Sequence, residues 1–210
     1  FRGEALPSIG AIARLSIMSR RSGTDQAWAV AVNGGDINLP RPAALSTGTK
    51  IEVRDLFFAT PARLKFLKTH KTEQNHCVDI VKRLAMARPD IGWSLSDGSR
   101  DLLKLPAADN SIDQVDPMLK RLGMIMGKDF YDNAIGIKAE RENAVLYGYA
   151  GLPTLNRGNA QMQFLFVNGR PVKDKLLYGA LRGAYREFLA SDRYALVALF
   201  LNLPSEAVDV

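Results

Sequence analysis

Gly48-Thr49-Lys50-Ile51-Glu52-Val53-Arg54-Asp55-Leu56-Phe57-Phe58-Ala59-Thr60-Pro61-Ala62-Arg63-Leu64-Lys65-Phe66-Leu67 reads as a strand, a turn and a short basic helix. Lys50, Glu52 and Arg54 alternate with Ile51 and Val53, the period-two pattern of a half-buried strand. Thr60-Pro61 then punctuates. Proline suits the first helical position, and a threonine before it can cap free amides. Arg63, Lys65 and Lys68 make the segment after Pro61 strongly basic. From these residues alone, a strand followed by a solvated basic helix is a sufficient account.

Upstream, Asn33-Gly34-Gly35-Asp36 predicts a tight hairpin, because Asn and Gly accept positive φ. Two strands are expected between Arg14 and Val32, with a turn at Arg20–Thr24 and a further strand near Ile37–Leu39. Leu6, Ile9, Ile12 and Ala13 fall at helical spacing after Gly3, so a helix is expected over 3–13. Free amides at such a helix start can hold an anion. A plain capped helix has the same pattern.

Downstream, Thr72–Arg88 predicts a helix capped by Thr72, with an apolar stripe of Cys77, Ile80, Val81, Leu84 and Ala87 or Ala85. Trp93, Leu95 and Asp97-Gly98-Ser99 suggest a hairpin. The polar stretch Asp101–Pro117 reads as an interdomain connection. Asp116-Pro117 then starts a helix with Met118, Leu119, Leu122, Ile125 and Met126 as its apolar stripe, ended by Gly127. Strands are expected at 134–139, 144–152, 161–167 and 194–203. A helix after Lys173 carries Leu176, Leu177, Ala180, Leu181, Ala184 and Phe188. Asn168-Gly169 is another tight-turn signal, with Arg170 at its exit.

The chain has 210 residues, a net charge of +6 and a pI near 9.5. That length suits one large domain or two small ones. Cys77 is the only cysteine, so no intrachain disulfide forms, and a reducing, cytoplasmic compartment fits. With two histidines beside it, a structural zinc site is not expected. No apolar run reaches the roughly 20 residues that span a bilayer. Basic residues concentrate in 54–88 and 170–193, which points to a polyanion partner; solvated helix faces would look the same.

Phe1-Arg2-Gly3-Glu4-Ala5-Leu6, taken with GTKIEVRDLF, TPARLKFL and Phe166-Val167-Asn168-Gly169-Arg170-Pro171-Val172, resembles the N-terminal ATPase region of the MutL family of DNA mismatch-repair proteins. A gyrase-like relative is disfavoured, because FRGEAL with DLFxxTPARxKFL is the mismatch-repair pattern. The resemblance implies an α+β chain. Residues 1–108 would be the C-terminal part of a GHKL-type α/β sandwich. Residues 109–210 would be a transducer domain like ribosomal protein S5 domain 2, with helices on one face of its sheet.

The resemblance further implies ATP and Mg²⁺ as cofactors. It assigns phosphate contacts to Arg2, Gly3, Glu4, Ala5 and Leu6 in a lid, and a place in the nucleotide pocket to Thr49. DNA contacts fall to Arg170 and Lys68. The implied partners are DNA bound without sequence preference, a second copy, a MutS-type recognition protein and downstream repair enzymes. The family's general-base Glu, Mg²⁺-holding Asn and adenine-reading Asp would lie upstream of Phe1, and its γ-phosphate lysine beyond Val210. The chain then reads as an internal piece of a longer protein, with no catalytic residue of its own and no ATP hydrolysis alone. The alternative for the piece itself is a non-enzymatic DNA-binding and dimerisation module.

Overall fold

The computed structural model describes residues 3–108 and 116–208. It has two compact units, Phe1–Glu73 and Gln74–Val210.

The first unit is an antiparallel sheet with one short helix. Strands β1 (Arg14–Arg20), β2 (Ala27–Asn33), β3 (Asp36–Ile37), β4 (Arg41–Ala43) and β5 (Gly48–Arg54) form it, in the order β3-β2-β1-β5 with β4 also on β2. The β2–β3 hairpin closes as expected. Asn33 pairs with Asp36, and Gly34 and Gly35 take φ of 61° and 101°. Register places Leu15, Ile17 and Ser19 of β1 beside Val53, Ile51 and Thr49 of β5, and beside Val32, Val30 and Trp28 of β2. Paired residues share a face, so these nine lie together. Helix α1 (Ala5–Gly10) touches this face at one end, where Gly10 approaches the Val32 side chain. A Cβ at Gly10 would sit 2.9 Å from Val32 Cγ1, so the helix could not lie this close with alanine there. The rest of the face is open, with Trp28 51% and Ile51 49% exposed.

Three expectations change here. The first helix is shorter than 3–13, because its last turn yields to hydrogen bonds from Gly35 N–H to Gly10 O and from Gly34 N–H to Ala13 O. Pro61–Phe66 is a 3-10 helix, and Thr60 does not cap it. Thr60 stands at φ −137°, ψ 63°, and its buried hydroxyl has no partner among the described residues. The helix α2 (His70–Ala87) starts two residues before Thr72. Thr69 caps it: its carbonyl accepts from Thr72 and Glu73 N–H, and its hydroxyl lies 3.4 Å from Thr72 N. The Glu73 carboxylate reaches back to Lys68 N–H at 2.8 Å, tying down the chain before the cap.

The second unit is built on a five-stranded sheet. Its hairpin β6 (Trp93–Ser96) and β7 (Asp101–Leu105) stands apart from that sheet. Asp101–Leu105 is therefore a strand, not the start of a connection; Asp101 and Lys104 mask the alternation of Leu103 and Leu105 inward. The remainder of the expected connection, 109–115, lies outside the described residues. Helices α3 (Pro117–Met126) and α4 (Lys128–Asn133) come after it. Asp116 caps α3 by accepting from Met118 N–H at 2.8 Å, and Gly127 at φ 101° ends it. Strands β8 (Ala134–Arg141), β9 (Ala144–Gly151), β10 (Asn156–Arg157), β11 (Gln163–Val167) and β12 (Arg170–Val172) come next. Helix α5 (Lys175–Ala184) then leads to β13 (Tyr194–Ala195) and β14 (Val197–Asn202).

The sheet order is β12-β11-β14-β9-β8, with β11 and β14 parallel and α5 in the crossover between them. Its two faces are both covered, which corrects the expectation of helices on one face. Phe164, Phe166 and Phe200 pack with Met86, Leu122 and Phe130 from α2, α3 and α4. Leu165 and Val197 point the other way and pack with Leu181, Leu177 and Tyr178 of α5. Strand alternation requires this: successive residues of QFLFV face opposite sides, and four of the five are buried. Phe166 and Phe200 stack at 4.4 Å between centroids, which fixes the parallel register.

The α2 stripe is only partly where periodicity puts it: of the expected residues Ala85 lies in the core and Ala87 packs against it. Ala85 and Met86 are buried, whereas Cys77, Ile80 and Leu84 are exposed. Arg121 on α3 explains part of this. Its guanidinium is 2% exposed and donates to four main-chain carbonyls, those of Ala85, Pro89, Ile91 and Pro106, at 2.6–3.1 Å. It closes the end of α2, the adjoining turn and the end of β7 around one side chain. Burial depresses its pKa, and the nearby Asp90 opposes that. Arg83 of α2 adds a second basic staple: Nε donates to Asp79 and the guanidinium lies 4.8 Å over the Phe164 ring. The α5 stripe is also shorter than expected. The helix ends at Ala184, and Leu176 and Phe188 are exposed.

Candidate functional site

Two surfaces carry the residues singled out in the sequence. The first is in the Phe1–Glu73 unit. Gly3 has φ 116°, a conformation reserved for glycine, and turns the chain into α1. Glu4 is the N-terminal flanking residue of α1 and its side chain caps nothing. The first-turn amides of Ala5 and Leu6 have no intrahelical acceptor by geometry, and Gly3, Glu4, Ala5 and Leu6 are all exposed. Arg2 lies outside the described residues.

Thr49 sits on the open apolar face of the sheet. Its hydroxyl is 2.9 Å from the Ser19 hydroxyl, its cross-strand partner. The pair forms a polar spot beside Ile51, Ile17 and Trp28 on the same face. Among the described residues no hydrogen bond joins Thr49 to the Gly3–Leu6 segment. Ser19 is five positions along β1 from Arg14, about 17 Å at roughly 3.4 Å per residue. The sheet face thus spans from the α1 contact at Leu15 and Val32 to the hydroxyl pair at its other end. An apolar floor with a hydroxyl pair at one end suits a flat ring with a polar substituent. Ser19 was not singled out by sequence; only its register with Thr49 brings it in.

The turn after β5 is tightly held. Asp55 and Phe57 take positive φ of 51° and 68°, unusual for residues with side chains. Arg14 stabilises it by pairing with Asp55 at 3.0 Å while stacking 4.7 Å over the Phe58 ring. Phe58 and Ala59 in turn press on Gly34 at the hairpin tip, where a Cβ would meet them at 3.2–3.4 Å. On β5, Glu52 is held below its ordinary pKa by hydrogen bonding to, and the charge of, Lys50. Lys68, past the 3-10 helix, is exposed; its backbone is anchored by Glu73 and its ammonium has no partner among the described residues.

The second surface is the tip of β11 and β12. Val167 pairs with Arg170 across Asn168-Gly169, whose φ values are 47° and 73°. The Asn168 amide makes this turn rigid: its nitrogen donates to Leu203 O at 2.9 Å and its oxygen accepts from Leu203 N–H at 2.8 Å. Asn168 N–H also donates to Leu201 O at 2.9 Å. Arg170 leaves this clasp exposed and without a partner among the described residues. Lys173 and Lys175 are exposed beyond it, and Asp174 is occupied as the cap of α5, accepting from Leu177 N–H at 2.9 Å. Asp174, between the two lysines, is thereby turned into the helix start. The turn role of Asn168 was legible in Asn168-Gly169; its second role needs Leu203, 35 positions away.

Among the described residues no group of three or more His, Cys, Asp or Glu is placed to hold a metal. No helix among them is long and apolar enough to cross a membrane.

A family model described as DNA mismatch repair protein, C-terminal domain, matches residues 122–210. The DNA mismatch repair protein MutL of Rhodospirillum rubrum is 57% identical over 210 residues, covering 100% of this chain and 33% of that protein. The MutL of Brucella anthropi is 50% identical over 210 residues, again 100% and 33%. The chain spans about a third of the length of these curated relatives. Among solved structures, the Aquifex aeolicus MutL ATPase domain complexed with ADP matches with a TM-score of 0.73 at 28% identity. That match covers 96% of this chain and 72% of the other. The B-subunit of DNA gyrase from Myxococcus xanthus shares the fold, with a TM-score of 0.50 at 10% identity over 96% of this chain and 60% of the other. The neighbours are GHKL ATPase domains and the architecture is α+β, in line with the motif reading. The chain belongs to the MutL family of DNA mismatch-repair proteins.

Proposed function

We propose that these residues belong to an ATP-switched, dimerising DNA-binding factor. Its role is to link mismatch recognition by a MutS-type protein to downstream repair enzymes in the bacterial cytosol. Within it, residues 1–108 serve as part of the ATPase domain and residues 109–210 as the transducer. The observation that carries the DNA half of this reading is Arg170, exposed at a turn locked by Asn168 and Leu203. A free guanidinium presented by a fixed turn forks to a phosphate without reading sequence. Lys68 is the weaker second contact.

The nucleotide half is supported by the Aquifex aeolicus ATPase domain, which is complexed with ADP. The residues present fit such a ligand in part. Thr49 and Ser19 offer hydroxyls beside an apolar floor, and the exposed Gly3–Leu6 segment offers main-chain donors. Bound ATP with Mg²⁺ would supply a γ-phosphate charge for the exposed Gly3–Leu6 amides to bind. The part played by this chain is orientation. Thr49 hydrogen-bonds, Ile51 and Ile17 exclude water, and the amides of the Gly3–Leu6 segment hold the anion, a role the family resemblance extends to Arg2.

A second reading concerns these 210 residues by themselves, as a DNA-binding and dimerisation module without catalysis. The exposed row of Arg170, Lys173 and Lys175 favours it. One paired titration tests both. A non-hydrolysable ATP analogue with magnesium, and a labelled duplex, are titrated into the 210-residue chain and into the full-length protein. The first reading expects nucleotide binding by the full-length protein, weakened by Thr49→Val, and DNA binding by both that falls steeply with salt. Salt-insensitive DNA binding, or none, overturns the DNA half. Nucleotide binding unaffected by Thr49→Val overturns the assignment of that residue.

A further inference from the structure

Neither the nucleotide face nor the Arg170 edge uses a cleft of the Gln74–Val210 unit. It has a volume of about 760 Å³ and lies between the C-terminal half of α5 and the segment that leads from it to β13. That size is ordinary for a ligand pocket. Arg182, Arg186 and Arg193 line it, with Tyr178, Tyr185 and Tyr194. No acid or lysine is among its lining residues; Glu187 and Asp192 lie on the same segment but outside the lining.

Two arginines are already oriented. Arg182 donates to Ser191 O at 2.8 Å, and Arg193 Nε donates to Asn156 Oδ1 at 2.6 Å. Each keeps further N–H groups for a ligand. The Arg186 guanidinium has no partner among the described residues, while its backbone N–H donates to Gly183 O. The Tyr185 hydroxyl donates to Gly151 O at 2.8 Å and fixes the inner wall.

A second observation is independent of charge. Gly179 and Gly183 both lie within α5, both line the cleft, and a Cβ at either would meet nothing within 4 Å. Glycine inside a helix is unfavourable. Nothing in the chain's own packing requires it at these two positions. One turn apart, they leave bare backbone on the cleft wall, so another main chain can approach the helix closely.

We propose that this cleft is a docking site for an acidic peptide segment of a partner protein, with an apolar side chain as its anchor. Carboxylates fork to Arg182, Arg186 and Arg193, the anchor lies among the tyrosines, and the peptide backbone runs over Gly179 and Gly183. The composition separates this from a nucleic-acid groove. Tyrosine and arginine without lysine or acid is the make-up of protein interface cores. A phosphate track would use both kinds of cation, as the edge at Arg170, Lys173 and Lys175 does. A second copy of the chain would bring the same three arginines face to face, so like charge disfavours it.

The test uses the 210-residue chain and a fluorescein-labelled, amide-capped peptide of four glutamates around a Leu-Phe pair. The same peptide with lysines for glutamates, and a six-nucleotide oligothymidylate, run beside it. The acidic peptide is expected to saturate below about 1 mM, and the lysine peptide is not. Arg186→Ala weakens binding at least about fivefold and Gly183→Leu at least about tenfold. Gly183→Leu fills the cleft but improves the helix, so its thermal midpoint holds or rises, and lost binding there is not lost folding. The proposal is overturned by no saturation, by binding indifferent to Gly183→Leu, or by equal binding of the lysine peptide. It is also overturned if the oligothymidylate competes for the same Gly183-dependent site. Self-association that Gly183→Leu abolishes would assign the cleft to a second copy and overturn it too.

Discussion

Asn168 and Leu203 exchange two hydrogen bonds through one side-chain amide, at 2.9 and 2.8 Å. The amide thereby mimics a strand partner for a residue just beyond β14, and it holds the turn that presents Arg170. Asn168→Ala removes both bonds and places alanine at φ 47°. The expected cost is about 1–3 kcal/mol, read from denaturant midpoints at unchanged slope. DNA affinity should fall with it, even at temperatures where the variant is fully folded. Full affinity in the folded variant would show that the clasp does not position Arg170.

Arg170→Ala should weaken DNA binding about equally for all sequences and reduce the salt slope by about one. Arg170→Glu should weaken it further, because it adds repulsion. Neither change should alter stability appreciably, since the side chain touches nothing among the described residues. Lys68→Ala is expected to show the same signature more weakly. Binding isotherms at four salt concentrations decide it, and a slope unchanged in Arg170→Ala removes the residue from the interface.

Arg121 serves four carbonyls at once. Arg121→Met preserves much of the volume but leaves those carbonyls unpaired. A loss of about 3 kcal/mol or more is expected, in the range for breaking a buried charged network. Arg121→Lys should recover only part, because an ammonium has three donors and cannot span the same fork. If both variants unfold at the parent's denaturant concentration, water replaces the guanidinium and the staple is not structural.

Tyr149 titrates late. Burial first, and then its 2.6 Å hydrogen bond to Asp116, push its hydroxyl up to about 12. The neutral phenol is the form the fold favours. Its stabilising contribution is therefore complete below the ordinary tyrosine range near 10 and is lost as pH rises towards 12. Stability measured across that window should decline in the parent, and the decline should be shallower in Tyr149→Phe. Since Asp116 also caps α3, the phenylalanine variant should keep the cap and lose only the pH dependence attached to Tyr149.

Local structure was legible in the sequence wherever a few adjacent residues suffice. Asn33-Gly34-Gly35-Asp36 and Asn168-Gly169 formed tight turns because their positive φ is a property of those residues. Asp116-Pro117 started α3 because a carboxylate next to a proline meets the helix amides directly. The period of GTKIEV gave a strand in the right place, and the motifs identified the family at the level the relatives bear out.

Tertiary structure decided what depends on distant partners. It set which side of α2 is buried, since Ala85 and Met86 follow the phenylalanines of the sheet while Ile80 and Leu84 do not. It placed α5 opposite α3 and α4 by turning alternate residues of β11 to opposite faces. It joined Ser19 to Thr49, Asn168 to Leu203, and Arg121 to carbonyls up to 36 residues away. Periodicity reports that a side chain faces inward, but not what it meets there. That is settled only when strand register and crossover bring remote segments within hydrogen-bonding reach.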